Sequence, residues 1–387
     1  MPAGPDFVTE LRRCLDRGDA VLPVDLRLAP PARRQLLEVM APSAVVERPG
    51  DETALRGGRP VEPGDALVMA TSGTTGEPKG VVLTLEAIEA SARATSARLR
   101  VGPGDRWWAC LPLSHIGGLS VVLRSLVTGV DCEVVDGYSE AGAAAAVAAG
   151  ATLVSLVPTT LWRTPPEVLS AFRHVVLGGQ APPEVLPPNV VTTYGLTETG
   201  SGLVYDGLPL EGVEVRVDSP GEGSGEGSGP ASGEIMVRGP MLLRAYRDGT
   251  DPKTADGWFP TGDAGELGPD GRLRVHGRLG DLVISGVENV WPSSVEPILE
   301  RHPAVAAAAV AGRPDPEWGE RVTAFVVASA ELSPARLLEE LRSLVRDELA
   351  GFAAPREVVV VSELPRTAIG KVRRELLAEM EGPSASL

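Results

Sequence analysis

The sequence predicts an α/β protein: a large N-terminal domain of parallel-type sheets with helices plus a small antiparallel sheet, then a small α+β C-terminal domain. Three observations carry this. Up to about residue 205, short β-branched runs alternate with helical segments, the pattern of βαβ units in a largely parallel sheet. From there to about 279 the strands shorten and alternate polar with apolar residues, as in a small antiparallel sheet. Beyond 279 a fresh set of strands and amphipathic helices begins, enough for a separate domain of about 100 residues. The expected division is 1–279 and 280–387.

The elements follow in order. DALVMA (65–70) enters a Gly/Thr-rich loop and VVLT leaves it, which predicts strand, loop and strand, then a helix over about 85–99. WWACLPL (107–113) reads as a buried strand, followed by SHIGGLS and the apolar VVLRSLV. The alanine-rich 141–149 is helical, and TLVSLVP is a strand stopped by proline. HVVLGGQ (174–180) and VVTTYGLTETG (190–200) are strands that end in glycines and polar residues. Ligands of such sheets bind beyond the carboxyl ends of the strands, where these loops lie. VEVRV, EIMVRG and RLRVHG are the shorter strands, and DSPGEGSGEGSGPAS between the first two reads as a hairpin tip. In the C-terminal part, SSVEPILERH and PARLLEELRSLVRDEL read as helices, and AVAAAAVAG, RVTAFVVAS and EVVVVSEL as strands. KVRRELLAEM reads as a final helix and GPSASL as a tail without fixed structure.

Composition narrows the function. A net charge of −16 argues against a nucleic-acid-binding surface. The three cysteines, Cys14, Cys110 and Cys132, show no CxxC spacing, which fits a reducing compartment and argues against structural zinc. The most apolar stretch, AGAAAAVAAGATLVSLV, reads as a helix and a strand and not as a membrane span. No basic-then-apolar leader opens the chain, so a cytoplasmic protein is expected. Of 36 basic residues only Lys79, Lys253 and Lys371 are lysines. A chain that otherwise uses arginine keeps lysine by chance, or where a compact charge is needed.

Five motifs carry chemistry. TSGTTGEPKG (71–80) offers backbone N–H groups, the hydroxyls of Thr71, Ser72, Thr74 and Thr75, and the Lys79 charge to an anion, with Gly73 and Gly76 allowing sharp bends. It is not the Walker pattern, because Gly80 stands where Ser or Thr would follow the lysine. By itself such a loop is equally a turn. YGLTETG (194–200) places Glu198 beside Thr197 after a strand; a carboxylate near nucleotide phosphates implies magnesium, though a solvated glutamate reads the same way. GWFPTGDAGEL presents Asp263 after a tight turn, where it can accept from vicinal ribose hydroxyls. GRLGDLVISGVENVWP carries Arg278 close to the domain boundary, and PRTAIGKVRR carries Lys371.

In this order, over 65–377, the motifs resemble those of the adenylate-forming superfamily of acyl-CoA synthetases, adenylation domains and luciferases. The resemblance implies a mobile C-terminal domain and two half-reactions, acyl-adenylate formation from MgATP and then thiolation by CoA. Matched by motif, 71–80 would hold the β- and γ-phosphates, and Tyr194 with Gly195 would meet adenine. Gly178, Gly179 and Gln180 would wall the adenine and acyl pockets. Thr197 would touch the α-phosphate, and Glu198 would bind Mg²⁺. Asp263 and Arg278 would bind ribose, and Lys371 would reach the α-phosphate. Gly280 takes the hinge position, and Val287 stands where the family more often has a second glycine. The family's members are often homodimers.

Within the superfamily, the short N-terminal region and the stretches PLSHIGGLSVVLRSL, SLVPTTLWR and YGLTETGSGLVYDGLPLEGVEVRV are similar to the short actinobacterial-type 2-succinylbenzoate–CoA ligases of menaquinone biosynthesis. The resemblance implies an acid with a second carboxylate, hence a cation or donors in the acyl pocket. Arg124, alone in an apolar run, is the candidate cation; pairing with a structural acid or facing solvent is the other reading. Ser155 is a candidate donor, and His115 has a positioning role. Another aryl- or acyl-CoA ligase, or an enzyme loading a carrier protein, stays open here.

Overall fold

The computed structural model describes residues 1–72, 78–183, 185–218, 232–286, 288–329, 333–366 and 372–387. Two compact units form: Met1–Arg216 with Met236–Thr261 and Pro269–Leu273, and Val217–Ile235 with Gly262–Gly268 and Arg274–Leu387. Compactness thus draws its line through the short strands before residue 279, not at it.

The first unit is built on a seven-stranded sheet. Its spatial order is Leu208–Pro209, Ser201–Tyr205, Val190–Leu196, His174–Leu177, Leu153–Leu156, Arg106–Ala109, Asp131–Val134. The last five are mutually parallel; Ser201–Tyr205 runs antiparallel to them and Leu208–Pro209 antiparallel to it in turn, so the expected βαβ architecture is present with antiparallel pairing at one edge. Trp107 and Trp108, successive residues of one strand, are both buried, on opposite faces. Trp108 packs with Ala143 and Ala146 of the helix Glu140–Ala148, and Trp107 lies under the helix Ile116–Thr128. The apolar VVLRSLV is therefore helix. Burial all round the sheet explains the near-continuous apolar runs.

Beside it, Asp65–Ser72 and Pro78–Thr84 pair antiparallel, with Thr71 opposite Lys79, and Ala245–Tyr246 adds a third strand opposite Val82 and Val81. The helix Leu85–Arg98 follows at once, its start fixed by the Thr84 side chain accepting from Ala87 N–H. The helices Pro5–Arg17 and Pro30–Met40 precede this sheet; Leu36 and Met40 bury against Val68 and Val82. A four-stranded sheet has the order Glu214–Asp218, Gly233–Arg238, Phe259–Leu267, Leu273–Arg278.

In the second unit the strand Gly319–Ala328 pairs with Val305–Asp315 on one side and, in parallel, with Glu357–Val361 on the other. The helices Pro292–Leu299 and Pro334–Glu348 cover this sheet through Val295, Leu299, Leu337, Leu341 and Val345, all within 1% of full burial. Two expectations fail here. KVRRELLAEM does not form a helix in its described part: it gives only a 3₁₀ turn, Arg374–Leu376, which leaves Leu377 fully buried among Ala309, Phe325 and Val359. GPSASL is not a loose tail either. Ser384–Ser386 pairs with Glu357–Val361, Glu357 standing opposite Ser386. The open edge of Glu357–Val361 has unpaired backbone groups, and their hydrogen-bonding demand outweighs the tail's own weak preference.

No helix among the described residues is long and apolar enough to cross a membrane.

Candidate active site

The strand Val190–Leu196 turns through Thr197–Thr199 and returns as Ser201–Tyr205, so Tyr194, Thr197 and Glu198 cluster at one end of the sheet. Thr199 locks the turn: its hydroxyl accepts from Leu196 N–H at 2.8 Å and bonds Ser201 O at 2.7 Å. Gly195 has a packing reason. A Cβ there would lie 2.2 Å from Ser201 O, because the two backbones cross closely. Gly178, Gly179 and Gln180 follow the neighbouring strand His174–Leu177, at the same carboxyl end of the parallel sheet.

The Glu198 side chain is held from an unexpected quarter. Tyr246 donates its hydroxyl to Glu198 Oε1 at 3.1 Å, and Lys79 Nζ lies 5.4 Å from the centroid of the same ring. The backbone of Glu198 is tied as well, its carbonyl accepting from Leu243 N–H at 2.7 Å. Lys253 explains its own retention: its ammonium donates to the carbonyls of Leu243 and Arg244, at 2.8 and 2.9 Å, and pairs with Asp251. A compact three-donor charge suits that spot and a planar guanidinium does not. Lys253 thereby props the segment that delivers Tyr246. Nothing in RAYRDG marks the tyrosine in sequence; only the strand pairing to Pro78–Thr84 brings it to Glu198.

Thr71 stands one residue before the end of its strand, its hydroxyl 3.4 Å from Lys79 O, and Ser72 closes that strand. Gly73, Thr74, Thr75 and Gly76 lie outside the described residues, as do Lys371, Val287 and most of the Gly/Ser stretch 219–232. Arg366 and Val372, the described residues on either side of 367–371, form an antiparallel bridge.

Magnesium fits Glu198. Among the described residues no group of three or more His, Cys, Asp or Glu is placed to hold a metal. A magnesium ion held by one carboxylate and nucleotide phosphates needs none, and Glu198 keeps Oε2 without a hydrogen bond among the described residues.

On the helix Ile116–Thr128, Arg124 is 2% exposed. Its Nη2 donates to Ser201 Oγ at 2.9 Å, its guanidinium covers the Trp107 ring at 5.4 Å, and its buried Nη1 has no partner. Ser201 in turn donates to Ser120 at 3.2 Å. Neither serine stood out in the sequence. Arg124 is therefore neither at the surface nor salt-bridged to a carboxylate of the described residues. Ser155 shares a sheet face with Trp107, since Trp107 pairs with Leu153 two residues earlier, and its hydroxyl is also buried and unbonded. His115 caps the same helix with Nε2 buried and unbonded; burial depresses its pKa, with Arg27 adding to the fall and Asp25 opposing it.

In the second unit Arg278 Nε pairs with Asp263 Oδ1 at 2.9 Å, so these two are brought together. Gly280 sits in the 3₁₀ turn Leu279–Asp281, and a Cβ there would meet nothing within 4 Å. Packing does not demand glycine at that position; backbone freedom remains as its distinguishing property.

Residues 51–247 match the AMP-binding enzyme family and residues 294–371 the AMP-binding enzyme C-terminal domain. The chain is 39% identical over 346 residues to a probable 2-succinylbenzoate–CoA ligase of Mycobacterium tuberculosis, covering 84% of this chain and 86% of that protein. It is 34% identical to the 2-succinylbenzoate–CoA ligase of Listeria monocytogenes, over 81% of this chain and 70% of that protein. The o-succinylbenzoate CoA synthetase of Bacillus subtilis, solved with its acyl-adenylate intermediate, superposes with a TM-score of 0.74 at 29% identity, over 97% of this chain and 82% of that one. The same synthetase solved with ATP and magnesium gives 0.72 at 30% identity, over 96% and 82%. With the two family matches running in order along it, and ligases of this kind matched over most of its length, the chain belongs to the AMP-binding enzymes, in the 2-succinylbenzoate–CoA ligase family.

Proposed function

We propose that the protein is a cytoplasmic ligase that joins 2-succinylbenzoate to CoA at the expense of ATP, in menaquinone biosynthesis. The observation that carries the substrate is Arg124: a buried guanidinium with an unbonded Nη1 and no carboxylate partner among the described residues. A buried cation of this kind needs an anion, and the acid's second carboxylate supplies one. Ser155 and His115 are assigned to the same acyl site, as donor and positioning group.

In the first half-reaction the acid's carboxylate, ionised at pH 7 without a general base, attacks the α-phosphorus. An O–P bond forms, the bond to the α–β bridging oxygen breaks, and diphosphate leaves. Thr71 to Gly76 and Lys79 grip the β- and γ-phosphates. Tyr194 and Gly195 hold adenine, Gly178, Gly179 and Gln180 wall the adenine and acyl pockets, and Asp263 with Arg278 holds ribose. Thr197 and Lys371 meet the α-phosphate. Glu198 holds Mg²⁺, which when bound neutralises phosphate charge. Catalysis of this step is positioning and charge compensation. In the second, the CoA sulfur attacks the acyl carbon, the C–O bond to AMP breaks, and the thiol proton is released. Gly280 is the hinge between the functional domains 1–279 and 280–387 that alternate over one site.

The test is diphosphate release across a panel of carboxylic acids, with mass spectrometry of the CoA products. Turnover of 2-succinylbenzoate above benzoates and fatty acids is expected. Turnover of benzoates alone would overturn the reading.

A further inference from the structure

Lys79 lies against the face of the Tyr246 ring and Glu198 accepts at its hydroxyl edge, yet among the described residues no ion pair joins Lys79 to Glu198. The first is the cation expected at the terminal phosphates and the second the carboxylate expected at the metal. Opposite charges this near would neutralise each other if they met, and would then have to be parted by the incoming nucleotide. We propose that Tyr246 is a positioning residue: it aims the Glu198 carboxylate for the metal and keeps it apart from Lys79 until MgATP arrives. This inference rests on the ligase reading of the site.

The backbone makes Tyr246 rigid enough for the task. Ala245–Tyr246 is a strand of the sheet that carries Lys79 itself, with Tyr246 opposite Val81. On either side, Arg244 N–H donates to Val82 O at 2.9 Å and Arg247 N–H to Gly80 O at 2.6 Å. Lys253 fixes the two carbonyls just before Ala245. The ring and the loop cation are therefore parts of one three-stranded unit, and Glu198 enters from the neighbouring sheet. The two attachments use different properties of the ring. The π-face holds the ammonium, and the hydroxyl alone reaches the carboxylate, as a charge-assisted donor. One substitution separates them.

The experiment is calorimetric titration with ATP, with and without Mg²⁺ and with no acid or CoA present, so that nothing turns over. The wild-type protein should bind ATP more tightly with Mg²⁺. In Tyr246→Phe the ring face stays and the hydroxyl goes. Metal-free ATP affinity should hold within about twofold, while the gain from Mg²⁺ should shrink by roughly tenfold, the size expected for a lost hydrogen bond to a charged group. Tyr246→Leu removes both, and there metal-free affinity should fall as well, because Lys79 is freed to pair with Glu198 or with the nearby Asp248, whose carboxyl it already helps to lower after Thr250 N–H. Circular dichroism and the unfolding midpoint check that both variants fold. A Phe variant with the full Mg²⁺ gain, beside a wild type that binds MgATP, overturns the inference alone. A wild type that binds no nucleotide sinks the ligase reading and this inference with it.

Discussion

Arg374 grips both carboxylate oxygens of Glu296, at 2.6 and 2.7 Å, and reaches on to Asp281 at 3.3 Å. One guanidinium thus ties the helix Pro292–Leu299 to the residue that follows Gly280, from a position three residues after Lys371. Both partners are about four-fifths buried, with side-chain exposures of 19% and 18%. Removing Glu296 leaves the largely buried guanidinium with the longer contact to Asp281 alone. Glu296→Gln should destabilise the second unit by about 2–3 kcal/mol, read as a lower midpoint in urea with an unchanged slope. An unshifted midpoint would mean the pair is replaced by water at no cost.

The two motif lysines should separate by half-reaction. Lys371→Ala should cut adenylate formation by roughly a hundredfold to a thousandfold, the usual cost of a lost transition-state charge contact, and largely spare thiolation of supplied acyl-AMP. Lys79→Ala should raise KM for ATP more than it lowers kcat. Equal loss of both half-reactions in Lys371→Ala would contradict domain alternation about Gly280.

Arg124→Met keeps the stem over Trp107 and deletes the charge. The kcat/KM for 2-succinylbenzoate should fall by roughly a hundredfold or more, with much less change for benzoate, since only the former offers a second carboxylate. An equal fall for both acids would mean that Arg124 acts only through Ser201 on the shape of the Glu198 turn.

His115 predicts a pH effect on stability. Its folded pKa lies below the ordinary value of about 6.5 because burial disfavours the charged ring. As pH falls through that value the unfolded chain takes up a proton that the folded one refuses, so stability is full above about 6.5 and declines below it. His115→Gln should flatten the unfolding free energy against pH between about 6.5 and 5. An unchanged slope would put the titration elsewhere, with His174, also depressed by burial, the first to test.

Much of this was legible in advance. The strands around 71–80, the helix after Thr84 and the turn bearing Thr197 and Glu198 lie where β-branched runs and glycines put them, because local pattern and burial agree there. KVRRELLAEM misled because its helical spacing competes with Arg374's pull toward Glu296 and Asp281 and with the burial of Leu377. Ser384–Ser386 was invisible because an edge strand recruits a partner by backbone, which side-chain patterns do not record.

The order of motifs along the chain, with glycines, carboxylates and one late lysine at fixed places, was sufficient for the family and for the reaction class, since those depend on which groups are present and in what sequence. Which group holds which was decided only in three dimensions. Tyr246 meets Glu198 across 48 residues and Arg124 meets Ser201 across 77. Such contacts follow from strand pairing and helix packing between distant segments, and no local periodicity encodes them.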